Sequence, residues 1–296
     1  MSYPNKITKT IPEFQYDSPK TLSEAVSLLA RANGKAKVLA GGTDVLLLMK
    51  QRAIAPEYVV NIKGIAELAY IREDEEGAKI GPLTTIAMLE GSDLIKEKYV
   101  SIHEATKKFA TLQIRNMATV GGNICRSSPS ADMVPPLIVL GAMLKLMGPK
   151  GEREVLIEDF FTGPGTNVLN QEVLREIVIP KGKGRWGSAF GKVMRNSGDL
   201  AKVNCAVRVV VSEGTCEGIR IALGAVSAKP IRAKNAENAI QGKKISDAVI
   251  EAAAEKVVED IKPITDVRST IDYRTEVSKV LVRRLIKLSV ERIGGR

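Results

Sequence analysis

Hydrophobic positions change period repeatedly along this chain, and the changes divide it into short strands and helices. Near the start, Pro12-Glu13-Phe14-Gln15-Tyr16 reads as a strand. Thr21 and Glu24 then form a capping box ahead of Leu22, Ala25, Val26 and Leu29 at helical spacing. Lys37-Val38-Leu39-Ala40 is a short apolar strand running into Gly41-Gly42-Thr43-Asp44, and helical character resumes over 45–52. After this strand-loop-helix unit come a strand over 58–62 and a hairpin pairing 69–73 with 78–81 across an acidic turn. Two helical segments follow, one opening at Thr84 or Thr85 and one over 101–109. A second glycine pair, Gly121-Gly122, then stands behind apolar residues in what reads as the same setting as the first.

In the middle of the chain, 143–147 and 153–157 flank Gly148-Pro149-Lys150-Gly151, a hairpin signal, and a strand over 176–179 ends at Pro180. Lys181-Gly182-Lys183-Gly184 is short, polar and flexible. Beyond it the pattern predicts a strand over 188–193, a hairpin of 206–211 with 218–223, and helices over 233–240 and 246–258. In a last helix Val277, Val280, Leu281, Leu285 and Leu288 make one apolar stripe. The alternation predicts an α+β protein with a C-terminal domain over 182–296.

Composition narrows the function. Hydrophobic residues at 44% and charged residues at 26% of 296 are ordinary globular values, and the length suits two or three packed units. The longest apolar passage, Met133 to Met147, holds Pro135, Pro136, Gly141 and Lys145, so no membrane span is expected. The first six residues lack an apolar secretion signal, and a cytoplasmic protein is expected. The net charge of +10 raises the question of nucleic acid, but basic residues are interspersed with acids and aromatics are only 4%, so no nucleic-acid partner is expected. Cys125, Cys205 and Cys216 match neither a disulfide framework nor a metal or cluster site. His103 sits in a helical pattern that predicts a solvated or hydrogen-bonded surface role. No catalytic residue and no metal ligand is nominated.

The chemistry left to the chain lies in its glycine loops. A diphosphate needs clustered donors that do not crowd it, and glycine-rich turns supply backbone N–H groups at close approach. Ala40-Gly41-Gly42-Thr43-Asp44 and Thr119-Val120-Gly121-Gly122-Asn123 are placed to grip one dinucleotide between them, with Thr43, Thr119 and Asn123 adding side-chain hydrogen bonds. Gly182-Lys183-Gly184-Arg185-Trp186-Gly187 has the spacing of a dinucleotide fingerprint, but a strand on each side of it predicts an inter-domain turn.

Taken in order, Ala40-Gly41-Gly42-Thr43-Asp44, Ile80-Gly81-Pro82-Leu83-Thr84-Thr85, Gln113-Ile114-Arg115-Asn116, Thr119-Val120-Gly121-Gly122-Asn123 and Ser128-Pro129-Ser130-Ala131-Asp132 resemble the FAD-binding medium subunits of the molybdenum hydroxylases, the xanthine dehydrogenase and carbon monoxide dehydrogenase family. The likeness continues through Ala189-Phe190-Gly191-Lys192, Asp199-Leu200-Ala201-Lys202, Asp266-Val267-Arg268-Ser269 and Tyr273-Arg274, nearly the whole chain.

The resemblance implies a vanillyl-alcohol-oxidase-type (PCMH-type) FAD-binding domain over 1–181, with subdomains about 1–62 and 63–181. A sheet-and-helix domain of the CO dehydrogenase flavoprotein C-terminal type follows. It further implies that Val38, Leu39, Ala40, Gly41, Gly42, Thr43, Asp44 and Val45, with Thr119, Val120, Gly121, Gly122 and Asn123, hold the FAD diphosphate and ribityl chain. Phe109 would pack on the cofactor, Asp132 and Lys192 would bond its polar edges, and Leu174 and Leu200 would supply apolar contacts. Cys125 and Arg126, directly after the second loop, have no assigned role.

The implied partners are a [2Fe–2S] small subunit and a molybdopterin large subunit, in a dimer of heterotrimers. The implied function is oxidoreductase electron transfer through FAD to NAD, a quinone or another acceptor. Two alternatives stay open on the sequence: a free-standing FAD-dependent oxidase of the vanillyl-alcohol oxidase type, and a nucleotide-binding assembly module without redox chemistry.

Overall fold

The computed structural model describes residues 11–294, so the N-terminal six residues lie outside the described part. The first unit is a parallel sheet of β1 (Gln15–Asp17), β2 (Ala36–Leu39) and β3 (Tyr58–Asn61) in the order β1-β3-β2. Two helices connect its strands, α1 (Leu22–Ala32) and α2 (Val45–Lys50). Thr21 Oγ1 accepts from the Glu24 N–H at the start of α1, but the return bond of the capping box goes from the Lys20 N–H to Glu24 at 2.9 Å. Leu22, Ala25, Val26 and Leu29 pack on Val60 and Ile62, as their spacing predicts.

The second sheet is antiparallel. Its hairpin β4 (Ile71–Glu73) and β5 (Gly77–Ile80) leads into a run of helices: α3 (Ile86–Glu90), α4 (Asp93–Lys98), α5 (Val100–Lys107), α6 (Leu112–Met117), α7 (Val120–Cys125) and α8 (Val134–Val139). The sequence predicts two helical segments over 84–109 where three form, because Ser92 caps the extra one, its hydroxyl accepting from the Ile95 N–H. After α8 come β6 (Met143–Gly148), β7 (Gly151–Leu156), the single turn α9 (Ile157–Phe160), the small hairpin β8 (Phe161–Gly163) and β9 (Thr166–Asn167), and β10 (Val173–Pro180). The completed sheet runs β4-β5-β10-β6-β7, with β10 bringing the chain back between the two hairpins.

The last unit is a four-stranded antiparallel sheet of β11 (Trp186–Val193), β12 (Val203–Ser212), β13 (Thr215–Gly224) and β14 (Ile231–Arg232). The helices α10 (Lys234–Ile240), α11 (Asp247–Lys256) and α12 (Ile271–Gly294) follow. The buried face of α12 is Arg274, Ser278, Leu281, Val282, Leu285, Ile286 and Ser289. The predicted stripe therefore holds at Leu281 and Leu285, with Val277 and Leu288 packed against the same core, and it misses the fully buried Val282 and Ile286 as well as the polar members. One face of this sheet carries Phe190, Ala206 and Ala222 into the core of the preceding unit. The other face, with Val203, Cys205 and Val207, packs with α12 and the other helices. The turn at residues 181–185 joins two strands and opens no helix, so its glycine spacing is not a dinucleotide fingerprint.

Candidate functional site

The chain leaves the carboxyl end of β2 through Ala40, Gly41, Gly42 and Thr43 before α2 begins, the end of an open parallel sheet where ligand crevices form. Gly42 has φ +79°, a backbone region that only glycine enters freely. Gly41 is there for a different reason: a Cβ would lie 2.0 Å from the Met117 carbonyl oxygen, so the loop presses directly on the end of α6. Among the described residues, nothing accepts from the backbone N–H groups of Gly41, Gly42, Thr43 and Asp44. Buried or half-buried amides do not stay unpaired without reason, and a run of them is a seat for an anion.

That loop forms one wall of a cleft of roughly 350 Å³, within the range of small-molecule and cofactor sites. Val38, Ala40, Thr43, Asp44 and Val45 line it beside the two glycines. Leu39 does not. Strand alternation turns it to the opposite face, where it packs with Met49 and Val59.

The second glycine pair differs from the first in its setting. The segment ahead of it is α6 and not a strand, and Thr119 caps α7, its Oγ1 accepting from the Gly122 N–H at 3.0 Å. The Gly121 N–H donates to the Pro82 carbonyl at 3.0 Å. The expected second bank of free amides is therefore already satisfied within the protein. Gly121 is required by packing, since a Cβ would stand 2.5 Å from Pro82 Cβ. Thr119, Gly121, Gly122 and Asn123 still line the cleft, whereas Val120 is fully buried in the core behind it. Asn123 is tied back by its Oδ1, which accepts from the Met133 N–H at 3.2 Å.

Phe109 and Leu174 complete the predicted lining, both almost fully buried. The Gln113-Ile114-Arg115-Asn116 motif acquires a physical role here. Arg115 donates to the carbonyls of Phe109 at 3.1 Å and Ala110 at 3.3 Å and pairs with Glu90 at 2.8 Å. It thereby holds Phe109 in place beside Ala110, whose φ is +36°.

Asp132, Lys192 and Leu200 stand outside the cleft lining. Asp132 accepts from Lys192 Nζ at 2.7 Å and from Asn204 Nδ2 at 2.9 Å, and Lys192 also donates to the Lys108 carbonyl at 3.0 Å. Burial pushes the Asp132 carboxyl up, against the pull of Lys192 and Asn204. In this structure the two side chains bond each other and tie α8's entry to β11 and β12. Leu200 is 52% exposed, on a loop whose Gly198 packs against Ala110. His103 is corrected, from surface to interior: it is buried with Nδ1 unpartnered, and burial, with nearby Lys107, lowers its pKa.

Sequence reasoning left Arg126 and Cys125 without a role, and both line the cleft. Arg126 Nε stands 3.5 Å from Asp44 Oδ1 and is buried with no hydrogen-bond acceptor. Its backbone is fixed by the β8–β9 hairpin, where Asn167 Nδ2 donates to the Cys125 carbonyl at 3.0 Å and to Ser127 Oγ at 2.9 Å. Burial pushes the Cys125 thiol up to about 12, which disfavours its thiolate at neutral pH. A guanidinium facing unpaired amides, with Leu48, Ile54 and Leu174 as apolar wall, suits a molecule with a diphosphate and flat rings.

This combination defines the class: an α+β protein with a dinucleotide cleft at the mouth of a small parallel sheet and a separate sheet-and-helix unit behind it. Residues 12–182 match the family described as FAD binding domain in molybdopterin dehydrogenase, and residues 188–288 match the CO dehydrogenase flavoprotein C-terminal domain. The chain is 35% identical to the glyceraldehyde dehydrogenase medium chain of Sulfolobus acidocaldarius, across 93% of this chain and 98% of that protein. It is 33% identical to the xanthine dehydrogenase FAD-binding subunit of Escherichia coli O157:H7, across 95% and 97%. Its fold superimposes on a chain of carbon monoxide dehydrogenase from Hydrogenophaga pseudoflava with a TM-score of 0.93 and 36% identity, covering 96% of this chain and 99% of that one. The chain belongs to the family of FAD-binding subunits of the molybdenum hydroxylases. FAD is the cofactor of that family, and these matches favour the electron-transfer subunit over the free-standing oxidase.

Proposed function

We propose that this chain holds FAD with its diphosphate on the free amides of Gly41, Gly42, Thr43 and Asp44 and under the guanidinium of Arg126. The observation that carries the reading is that run of unpaired N–H groups facing an arginine whose Nε has no acceptor. Thr119 and Gly122 shape the opposite wall through the α7 cap, and Phe109, clamped by Arg115, packs on the cofactor where the cleft meets the loop carrying Leu200. Bound flavin supplies the interconversion of one-electron and two-electron transfer. The protein supplies position, an apolar surround and exclusion of water from the buried end of the cleft.

In this reading the chain is the flavin component of a larger oxidoreductase. Its electrons come from a [2Fe–2S] centre on a small subunit, fed by a molybdopterin large subunit, and leave to NAD, a quinone or another acceptor, in a cytoplasmic dimer of heterotrimers. The name "medium chain" carried by the Sulfolobus relative supports companions of both sizes. So does an exposed apolar fringe beside the glycine loop, formed by Leu46 and Leu47 on α2 and by Leu112 and Met117 on α6, each 39–59% exposed. No described helix is long and apolar enough to cross a membrane. The proposed division at 181/182 rests on the separate sheets and helices on either side of the 181–185 turn. The test is a fluorescence titration of flavin-stripped protein with FAD. Quenching that saturates at equimolar FAD, and that FMN does not reproduce, supports the assignment; no saturable quenching refutes it.

A further inference from the structure

The turn at 181–185 is no dinucleotide fingerprint, but the strands it joins carry a different feature. Ser188 on β11, Arg208 on β12 and Arg220 on β13 are register partners, so their side chains form one row on the same face of the sheet. Two residues along β11, on that face, the Trp186 ring lies under the Arg208 guanidinium, 4.9 Å from its centroid.

Little among the described residues offsets this row: Glu237, itself paired with Arg232, lies close enough to Arg220 for its charge to be felt, and no carboxylate pairs with Arg208. Neither Arg208 nor Arg220 makes an ion pair or a side-chain hydrogen bond, and neither has a partner outside those described. The nearby acids are committed elsewhere: Glu237 to Arg232 at 2.9 Å and to the Ile221 N–H at 2.8 Å, and Glu104 to Arg292 and the Phe190 N–H. Arg208 Nε and Ser188 Oγ are buried with no hydrogen-bond partner, and Ser188 itself is only 3% exposed. Burial and the like charge of Arg220 both lower the Arg208 pKa. Like charges directly opposite one another across a pair of strands are destabilising, and buried donors without acceptors add to that cost.

We propose that the Ser188-Arg208-Arg220 row is a phosphate-group site at the junction of the two matched domains. Arg208 has no acid partner and Arg220 shares its nearby acid, Glu237, with Arg232, so the row calls for more negative charge than it has, which a phosphate dianion supplies. The serine hydroxyl adds a neutral donor. The two guanidiniums are seated against glycine turns: a Cβ at Gly141, after α8, would meet Arg220 Nη1 at 2.5 Å, and one at Gly182, in the turn, would meet Arg208 Nη2 at 2.9 Å. A phosphate there would bridge charges held by the C-terminal sheet beside the α8–β6 turn and the turn at 181–185, and so couple the two units. The site is separate from the FAD cleft and does not depend on that assignment.

The test is thermal denaturation of the purified full chain in increasing inorganic phosphate, with ionic strength held constant by chloride. Wild type shows a saturable rise in melting temperature. Arg220→Gln melts at least as high in chloride, because it relieves a repulsion, and binds phosphate about ten-fold more weakly, the loss of one charge-assisted contact. Ser188→Ala shows a smaller weakening, and Arg283→Gln, which on α12 bonds Glu251 of α11 and not the row, keeps the wild-type response. A parallel titration with glycerol phosphate separates the sources: a rise with both ligands means that a phosphate ester enters, and a rise with inorganic phosphate alone means that the free ion is the ligand. A response that does not saturate, or one that is identical in Arg220→Gln, overturns the proposal.

Discussion

Lys192 Nζ lies 2.7 Å from Asp132 Oδ2, with both side chains at most 6% exposed, and the pair joins the segment ahead of α8 to β11. Sixty residues of sequence separate them. A buried ion pair of this kind contributes little net stability compared with an apolar pair of the same shape, but breaking it strands a charge in the interior.

Removing one partner should therefore cost far more than removing both. Asp132→Ala is expected to lower unfolding stability by roughly 3–5 kcal/mol. The double variant Asp132→Leu with Lys192→Met should recover much of that loss, because no unpaired ammonium remains. Urea denaturation of the single and double variants checks this; equal losses in all of them would show that the pair acts through packing alone.

Gly41 and Gly91 make a controlled comparison. At Gly41 a methyl group would stand 2.0 Å from a backbone carbonyl, whereas at Gly91 the nearest heavy atom is 3.5 Å away, an ordinary contact. Gly41→Ala should displace the loop after β2, lower the melting temperature and weaken FAD retention by an order of magnitude or more. Gly91→Ala should leave both unchanged. Flavin content after gel filtration, read beside the melting curve, separates the two variants.

Arg126 makes no hydrogen bond through Nε and lies at the turn after α7, where its ion partner is the half-exposed Asp44 at 3.5 Å, so a ligand anion in the cleft can compete for its charge. Arg126→Gln is predicted to keep the melting temperature of the flavin-free protein within about a degree while weakening FAD binding by about ten-fold, the scale of one charged hydrogen bond. The affinity of wild type should also fall more steeply with added salt than that of the variant.

Acid sensitivity should trace in part to Asp266. Burial alone would raise its carboxyl, but the Arg268 and Ser269 N–H groups and Arg274, at 2.7 Å, outweigh burial and hold its pKa below the ordinary value. Arg274 in turn donates to the carbonyls of Lys202 at 3.0 Å and Ala225 at 2.5 Å, fixing the start of α12. A carboxyl with a depressed folded pKa stabilises fully above its unfolded value, about 3.9, and loses that contribution as pH falls through the folded pKa. The stability gap between wild type and Asp266→Asn should thus be widest near neutrality, begin to shrink as pH falls towards about 4 and close only below the folded pKa. A gap that stays constant with pH would exclude the carboxylate charge as its source.

Local features of this protein were legible in its sequence and distant ones were not. The strand-loop-helix at 36–50 is readable because a short apolar run, a glycine pair and a new helical period succeed each other without a gap. The setting of Gly121-Gly122 is not legible in the sequence, because apolar residues before a glycine pair look alike in a strand and at a helix end. Only the Thr119 hydroxyl on the Gly122 N–H settles it. The Asp132–Lys192 pair and the Ser188-Arg208-Arg220 row arise from long-range register, which no local pattern encodes. Arg126 follows a recognisable loop but matches no motif; a lone arginine one turn after a glycine pair was the available signal.

The central claim is that the cleft between the loop after β2 and α7 holds FAD. Its most direct test is the flavin released by denaturing the natively purified protein, identified by chromatography and quantified against chain concentration. Equimolar FAD in wild type, lost in Gly41→Ala and reduced in Arg126→Gln, is the predicted result. A protein without flavin that also fails to take up added FAD would contradict it.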